Sequence, residues 1–122
     1  MMARLSDVVS IAATTSGVTG TITTGIGARL KCVKLAWTQT VTSDIPTIVE
    51  FTWAGCPSPL RFVPNVISII AGTAVGGNAN LLSDMAGCII VLDVVMEKAD
   101  ILTVKITSSG NLTVKASVEW EQ

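Results

Sequence analysis

The sequence predicts an all-β protein, folded as a single-domain antiparallel β-sandwich of about eight strands. Three observations support this prediction. Apolar and polar residues alternate with a period of two in several segments, most clearly from Leu102 to Trp120, and this period is typical of strands with one buried face. Turn-forming residues recur roughly every ten positions. No window has the 3.6-residue apolar spacing of an amphipathic helix.

The first segment, Leu5 to Thr15, is rich in Val, Ile, Ala and Thr and predicts a strand with weakly specified faces. Gly17 and Gly20 interrupt a second short run. We therefore divide the chain into residues 1–15, an N-terminal arm or edge strand, and residues 16–122, the β-sandwich domain. A weakly specified terminal strand often folds only against a neighbour, which is either its own domain or another subunit.

Two further strands are predicted before the first proline-rich loop. Residues 29–41 should form a strand with a bulge at Cys32-Val33, because the apolar residues change parity there. After a turn, apolar and polar residues alternate over residues 48–53, which predicts another half-buried strand.

The loop that follows Trp53 contains Pro57 and Pro59, which remove two donors from any strand ladder and stiffen the backbone. It is therefore predicted to be an ordered loop, with Leu60 and Phe62 on its far side. Such a loop loses little entropy on binding. We predict that Trp53, Pro57, Pro59, Leu60 and Phe62 form an interface with neighbouring subunits.

The run 87–96 is apolar on both parities, which predicts the central strand of a sheet, buried on both faces. Its one polar side chain, Asp93, is expected at an edge or bulge position rather than as a buried acid. Before this run, residues 66–71 predict a buried strand, residues 72–80 a glycine-rich loop and residues 81–86 a single helical turn.

The closing residues, 100–122, predict two strands joined by a tight turn at Ser108-Ser109-Gly110. If these strands form a direct hairpin, Leu102 faces Ala116, and every cross-strand pair joins residues of like polarity. The sequence therefore predicts a ribbon with one buried face.

The amino-acid composition predicts a protein that binds other proteins. Apolar residues make up 49% of the chain and charged residues only 14%, which leaves a small lone domain short of polar surface. The net charge is −1, with no block of like charge, so neither nucleic acid nor an anionic membrane surface is an expected partner. The expected working form is a symmetric homo-oligomer.

The chain lacks the usual chemistry of catalysis. It has no histidine and no tyrosine, and its carboxylates are scattered singly. We therefore predict no enzymatic activity and no cofactor. Cys32, Cys56 and Cys88 form no CxxC pair, and without histidine they predict no metal site. Their odd number and an expected cytosolic synthesis predict free thiols.

Two features bear on cellular location. Asp7 interrupts the region where the apolar core of a secretory signal would run, so synthesis in the cytosol is expected. The uncharged stretches 8–28 and 62–83 are long enough to cross a bilayer, but their Thr, Gly, Pro and Asn content makes neither a good transmembrane helix. No transmembrane segment is predicted.

A Val/Thr/Ala/Gly-rich, histidine-free chain of about eight strands with a loose N-terminal arm resembles small virion structural proteins. The resemblance is to the single jelly-roll penton-base and minor capsid proteins of icosahedral, membrane-containing viruses, including the turreted viruses of archaea. It implies a jelly-roll sandwich made in the host cytoplasm and located in the virion. It also implies a shell component that binds its own copies, in a fivefold arrangement, and other capsid proteins.

The predicted closing hairpin departs from that resemblance, because the last two strands of a jelly roll lie in opposite sheets. A direct hairpin instead fits an immunoglobulin-like sandwich. The alternative function is therefore an immunoglobulin-like decoration, tail or pilus-type filament subunit, or a binding module.

Overall fold

The structure, a computed structural model, describes residues 3–36, 45–63, 65–66, 87–109 and 112–122. These residues form strands and no helix, which confirms the all-β prediction. The nine strands are β1 (Arg4–Ala13), β2 (Val18–Thr23), β3 (Arg29–Ala36), β4 (Ile45–Thr52), β5 (Leu60–Phe62), β6 (Asn65–Val66), β7 (Gly87–Val95), β8 (Ile101–Ser108) and β9 (Leu112–Glu121).

The strands form two antiparallel sheets. One has four strands in the order β1-β9-β3-β7, and the other has the order β2-β8-β4-β5, with β6 also paired to β4. The chain thus pairs as one long hairpin, since β1 meets β9, β2 meets β8, β3 meets β7 and β4 meets β5. Wrapping this hairpin around the core places β9 beside β3 and β8 beside β4. This is the strand order of a jelly roll.

The core lies between the two sheets and draws on both. Leu30, Val33 and Val118 from the four-stranded sheet and Phe51 and Val104 from the five-stranded sheet are each 0% exposed. They belong to a single cluster of buried apolar side chains. Because alternate residues of each strand point to the same side, the period-two pattern of the sequence is what fills this layer.

Residues at the N-terminus form the edge strand β1, which pairs along its whole length with β9. From Val9 onward, alternate side chains of β1 turn toward the core. Gly20 on β2 lies close to that face of β1, because an added Cβ would come within 2.6 Å of Val9 Cγ2 and 3.2 Å of Ile11 Cγ1. A glycine at this position therefore lets the two sheets approach each other.

The predicted closing hairpin is wrong. β8 pairs with β2 and β4, whereas β9 pairs with β1 and β3 in the other sheet. Leu102 and Ala116 are both 0% exposed, so the predicted buried face is present on each strand. The two faces meet across the core instead of lying side by side. This arrangement also excludes the immunoglobulin-like alternative, in which the last two strands are neighbours in one sheet.

The prediction of a central, doubly buried strand over residues 87–96 is also wrong. Within the described ranges, β7 is an edge strand of the four-stranded sheet, and Ile89 and Val91 are 63% and 79% exposed. Alternate residues, Ile90, Leu92, Val94 and Met96, face the core. Asp93 lies exposed on this edge, as predicted for it.

The predicted bulge in β3 lies one residue earlier than expected. The register shifts between Leu30 and Cys32 against both neighbouring strands. The predicted continuation of this strand to residue 41, most of the buried strand 66–71, the glycine-rich loop 72–80 and the helical turn 81–86 lie outside the described residues.

Candidate functional site

The hairpin β4–β5 carries the five residues predicted to form an interface. Phe51 lies opposite Leu60 and Val49 opposite Phe62 in the strand pairing. The rings of Phe51 and Phe62 pack with centroids 5.6 Å apart and planes tilted by 54°. Since Phe51 is fully buried, this contact attaches β5 to the core.

The loop of this hairpin is held by local hydrogen bonds. The Cys56 backbone N–H donates to the Trp53 carbonyl at 3.0 Å, and the Cys56 thiol donates to the Ser58 carbonyl at 3.0 Å. Gly55, with a φ of 85°, supplies the left-handed residue of the turn. The loop is therefore ordered, as its prolines predict.

The structure divides the predicted interface residues into two groups. Trp53, Leu60 and Phe62 are half-buried and pack against the core cluster. Pro57 and Pro59 are exposed at the tip of the hairpin. The tip is thus exposed to solvent, while the three larger side chains contribute to the stability of the sandwich.

An open cleft of about 330 Å³ lies beside the hairpin, between the end of β4 and the turn that joins β7 to β8. Trp53 and Thr52 line one side, and Lys98, Asp100 and Thr103 line the other. The cleft therefore combines an aromatic ring with hydroxyl groups and one charge of each sign.

Lys98 has an uncommon backbone conformation, with a φ of 60°. It occupies the third position of a turn in which the Ala99 N–H donates to the Met96 carbonyl at 3.3 Å. Glycine or asparagine is usual at such a position, because a Cβ is strained there. Strained non-glycine residues are concentrated at functional sites, and Lys98 lines the cleft.

The outer surface of the four-stranded sheet carries a network of charges, here called the charged face. Asp93 accepts hydrogen bonds from Arg29 at 3.1 Å and from Lys31 at 3.4 Å, and these cations hold the pKa of Asp93 below its usual value. Lys31 also pairs with Glu121 at 3.4 Å. Arg4 and Lys34 pair with Glu119 at 3.8 and 3.3 Å.

Cys32 lies at the centre of the charged face. Its thiol donates to Glu119 Oε2 at 2.8 Å. Burial raises the pKa of this thiol, and the Glu119 carboxylate raises it further, as acceptor and as negative charge. The same hydrogen bond, together with Lys34, lowers the pKa of Glu119. Cys32 is therefore a protonated thiol of low reactivity. Cys32 and Cys56 are both free, as predicted, and the prediction for the Cys88 thiol lies outside the described side chains.

The largest exposed apolar side chains concentrate on the two edges of the four-stranded sheet. Among the described residues, seven large hydrophobic residues are well exposed, and four of them lie on β1 or β7. On β1, Leu5 and Val8 are 43% and 55% exposed; on β7, Ile89 and Val91 are 63% and 79% exposed. Sequence analysis predicted residues 1–15 to be an arm or edge strand, but it missed the β7 edge, because the apolar run containing Ile89 and Val91 is typical of a buried strand.

Comparison with known proteins adds no relative. No protein-family model matches the chain, and no curated protein matches it. Across the ranges that the structure describes, there is no helix with the length and apolar character needed to cross a membrane. In those same ranges, no group of three or more cysteine and carboxylate side chains is arranged to hold a metal ion.

Proposed function

We propose that this chain is a virion structural protein, a penton-base, vertex or minor capsid component that assembles by protein–protein contacts and has no catalytic role. The observation that carries the proposal is the jelly-roll strand order in a subunit whose exposed apolar residues concentrate on the edges of one sheet. The jelly roll is the architecture of many viral capsid proteins, although lectins and cupins share it, so the virion assignment is an analogy at the level of fold.

Three parts of the molecule support a role in assembly. The packed sandwich core provides a frame, and the edge strands β1 and β7 expose backbone groups and apolar side chains. The hairpin tip at Pro57 and Pro59 is exposed, and its stiff backbone would lose little conformational entropy on binding a neighbour. The partners are copies of the same chain and other capsid proteins. A ring at a capsid vertex, fivefold by the resemblance to penton proteins, is the form we expect.

The test is a mass measurement of the purified protein by multi-angle light scattering over a wide range of concentrations, followed by negative-stain electron microscopy. We expect a discrete species of several subunits, seen as rings or shell fragments. A protein that remains a monomer at the highest concentration would contradict self-assembly.

A second candidate function, that of a small binding module, is favoured by the cleft beside Trp53. Trp53, Lys98 and Asp100 supply a stacking surface, donors and acceptors in a volume of about 330 Å³, near the lower end of the range for ligand sites. This set suits a sugar-sized polyhydroxylated molecule, whose C–H face stacks on an aromatic ring and whose hydroxyl groups bind both charges.

The second candidate is tested by titrating the protein with glucose, galactose and N-acetylglucosamine while backbone amide shifts are followed by NMR. Binding should shift the amides of residues 98–103, and Asp100→Asn should weaken it at least about tenfold. Glu97→Gln, in the same turn but outside the cleft lining, is the matched control. The absence of any shift with all three sugars would exclude this function.

A further inference from the structure

We propose that neighbouring copies join edge to edge, with β1 of one subunit pairing antiparallel to β7 of the next, so that the four-stranded sheets run continuously around a ring. This inference rests on the proposed function and names the surface that would perform it. It follows from the strand directions, the position of exposed groups and the register of the sheet.

Strand direction permits this junction. Every neighbouring pair in the sheet β1-β9-β3-β7 is antiparallel, and the described residues give this sheet four strands, so β1 and β7 run in opposite directions. A second copy in the same orientation therefore presents a β1 that is antiparallel to the first copy's β7. With an odd number of strands the same placement would give a parallel pair, which is slightly less stable.

Backbone groups on β1 face the open side of the sheet. Ala3 and Gln122 exchange two backbone hydrogen bonds, of 2.8 and 3.0 Å. Because hydrogen-bonded pairs alternate along an antiparallel ladder, Leu5 and Asp7 also bond to β9, while Arg4 and Val8 direct their N–H and C=O groups outward. On β7 the Met96 N–H donates to Ala28 at 2.9 Å, so Asp93 directs its backbone groups to the open side.

One register satisfies both charge and apolar side chains. When Arg4 of one copy lies opposite Asp93 of the next, Val8 lies opposite Ile89 and Ser6 opposite Val91. The first pair joins opposite charges and the second joins the exposed apolar side chains. A slip of two residues that places Ser6 opposite Asp93 would lose the charge pair.

The same register keeps successive copies aligned across the sheet. Within one subunit Val8 lies opposite Ser117, Ser117 opposite Lys34, and Lys34 opposite Ile89. Val8 and Ile89 thus lie in one row across the sheet. A junction that pairs Val8 with Ile89 continues this row, so successive copies are not staggered along the strands, and such a head-to-tail contact forms a ring where the rotation between copies closes.

In the free subunit, the Asp7 side chain occupies one backbone donor of this edge and so opposes unwanted pairing. Its Oδ1 accepts a hydrogen bond from the Val8 N–H at 2.8 Å, which occupies an outward-facing donor that the junction needs. Charged residues on an edge strand are a common defence against unwanted pairing. In the ring the Val8 N–H would donate to the neighbour's backbone instead, and the exposed carboxylate would return to water.

Cysteine cross-linking tests the junction directly. In a background with the native cysteines changed to serine, the double variant Val8→Cys/Ile89→Cys should oxidise to a ladder of covalent oligomers, since facing residues in paired strands lie within disulfide reach. Each single variant should stay uncross-linked. Cross-linking of Ile89→Cys alone would overturn the proposal, because it would show that β7 pairs with itself.

Measurements of assembly provide a second test of the junction. Val8→Lys/Ile89→Lys should raise the concentration at half-assembly at least about tenfold, whereas Ile101→Lys, a change of an exposed apolar residue on the other sheet, should leave it unchanged. Asp7→Ala should lower it. Circular dichroism checks that every variant keeps its fold.

The two proposals fail in different ways. If the parent protein assembles but the double cysteine variant gives no ladder, the junction is wrong and the role in assembly stands. If the parent is a monomer by light scattering yet the ladder forms, the junction exists as a weak contact and the assembly role is wrong. A monomer with no ladder contradicts both.

Discussion

At the scale of single residues, Lys98 is the clearest case of stored strain. A left-handed conformation costs a residue with a Cβ about 1–2 kcal/mol, and glycine removes that cost while losing about 0.5–1 kcal/mol through its greater freedom in the unfolded chain. We therefore expect Lys98→Gly to raise the free energy of unfolding by roughly 0.5–1 kcal/mol.

Urea denaturation of the variant checks this prediction. Glu97→Gly, the neighbouring substitution at a position without a positive φ, is the matched control and should destabilise the protein. Equal losses in the two variants would show that the turn is not strained at Lys98. A gain in stability combined with a loss of ligand binding would indicate that the strain is kept for function.

The charged face makes stability depend on acid pH. The pKa of Asp93 is lowered by hydrogen bonds from Arg29 and Lys31, and that of Glu119 by the Cys32 thiol and Lys34. A carboxyl whose pKa is lower in the folded state stabilises the fold above its unfolded pKa, and loses this contribution as pH falls through the folded pKa. The loss of stability should thus begin as the pH approaches 3.8 and 4.5, the ordinary pKa values of the two carboxyl groups, and continue at lower pH.

Thermal melting of the parent and of Asp93→Asn/Glu119→Gln between pH 7 and pH 2 measures this effect. The variant should melt at a lower temperature than the parent at pH 7, and the two curves should converge at the acid end. Parallel curves would contradict the proposed coupling. Because surface ion pairs are weak and screened by salt, the difference should shrink when sodium chloride is added.

At the scale of elements, two substitutions in the hairpin β4–β5 test stability and assembly separately. Leu60→Ser/Phe62→Ser removes half-buried side chains, one of which packs on Phe51, and should lower the free energy of unfolding by about 2–4 kcal/mol. Pro57→Ser/Pro59→Ser changes exposed residues and should cost about 1–2 kcal/mol through the unfolded state.

Light scattering and urea denaturation on both variants distinguish the two roles. If the tip contacts a neighbour, the proline variant should lose assembly while it remains folded at the working temperature. Unchanged assembly in the proline variant would restrict the contribution of this hairpin to the core of its own subunit.

The sequence predicts the strands better than it predicts which strands pair with each other. Period-two alternation correctly identified the buried faces of β8 and β9, because it reports which side of a strand faces the core. It does not report which strand lies beside it, and a short connection between β8 and β9 fits either one sheet or two. The long apolar run of β7 gave a wrong prediction for a related reason. Ile89 and Val91 are apolar residues of the kind found in a core, but they lie exposed on an edge strand.

The candidate site was predictable only in part. Two closely spaced prolines, Pro57 and Pro59, make the ordered loop after Trp53 evident, and the structure places this loop at an exposed tip. The cleft forms where residues distant in sequence come together, such as Trp53 and Lys98, and no local sequence pattern predicts such contacts. The same holds for the positions of β1 and β7 at the two edges of one sheet. Lys98 in particular has no sequence signal, because lysine is unusual at a position with positive φ.

At the scale of the whole molecule, the pairing of the first strand with the last has a consequence for how the chain folds. Arg4 lies opposite Glu121, so β1 has no partner in its sheet until β9 has left the ribosome. Contacts between residues so far apart in sequence make folding slow, and we expect refolding from urea on the millisecond-to-second scale typical of β-sandwiches, measured by stopped-flow tryptophan fluorescence. Refolding within microseconds would contradict this expectation. During synthesis the emerging chain thus depends on dilution or chaperones to keep its unpaired strands apart, and the four-stranded sheet can be completed only after β9 has emerged.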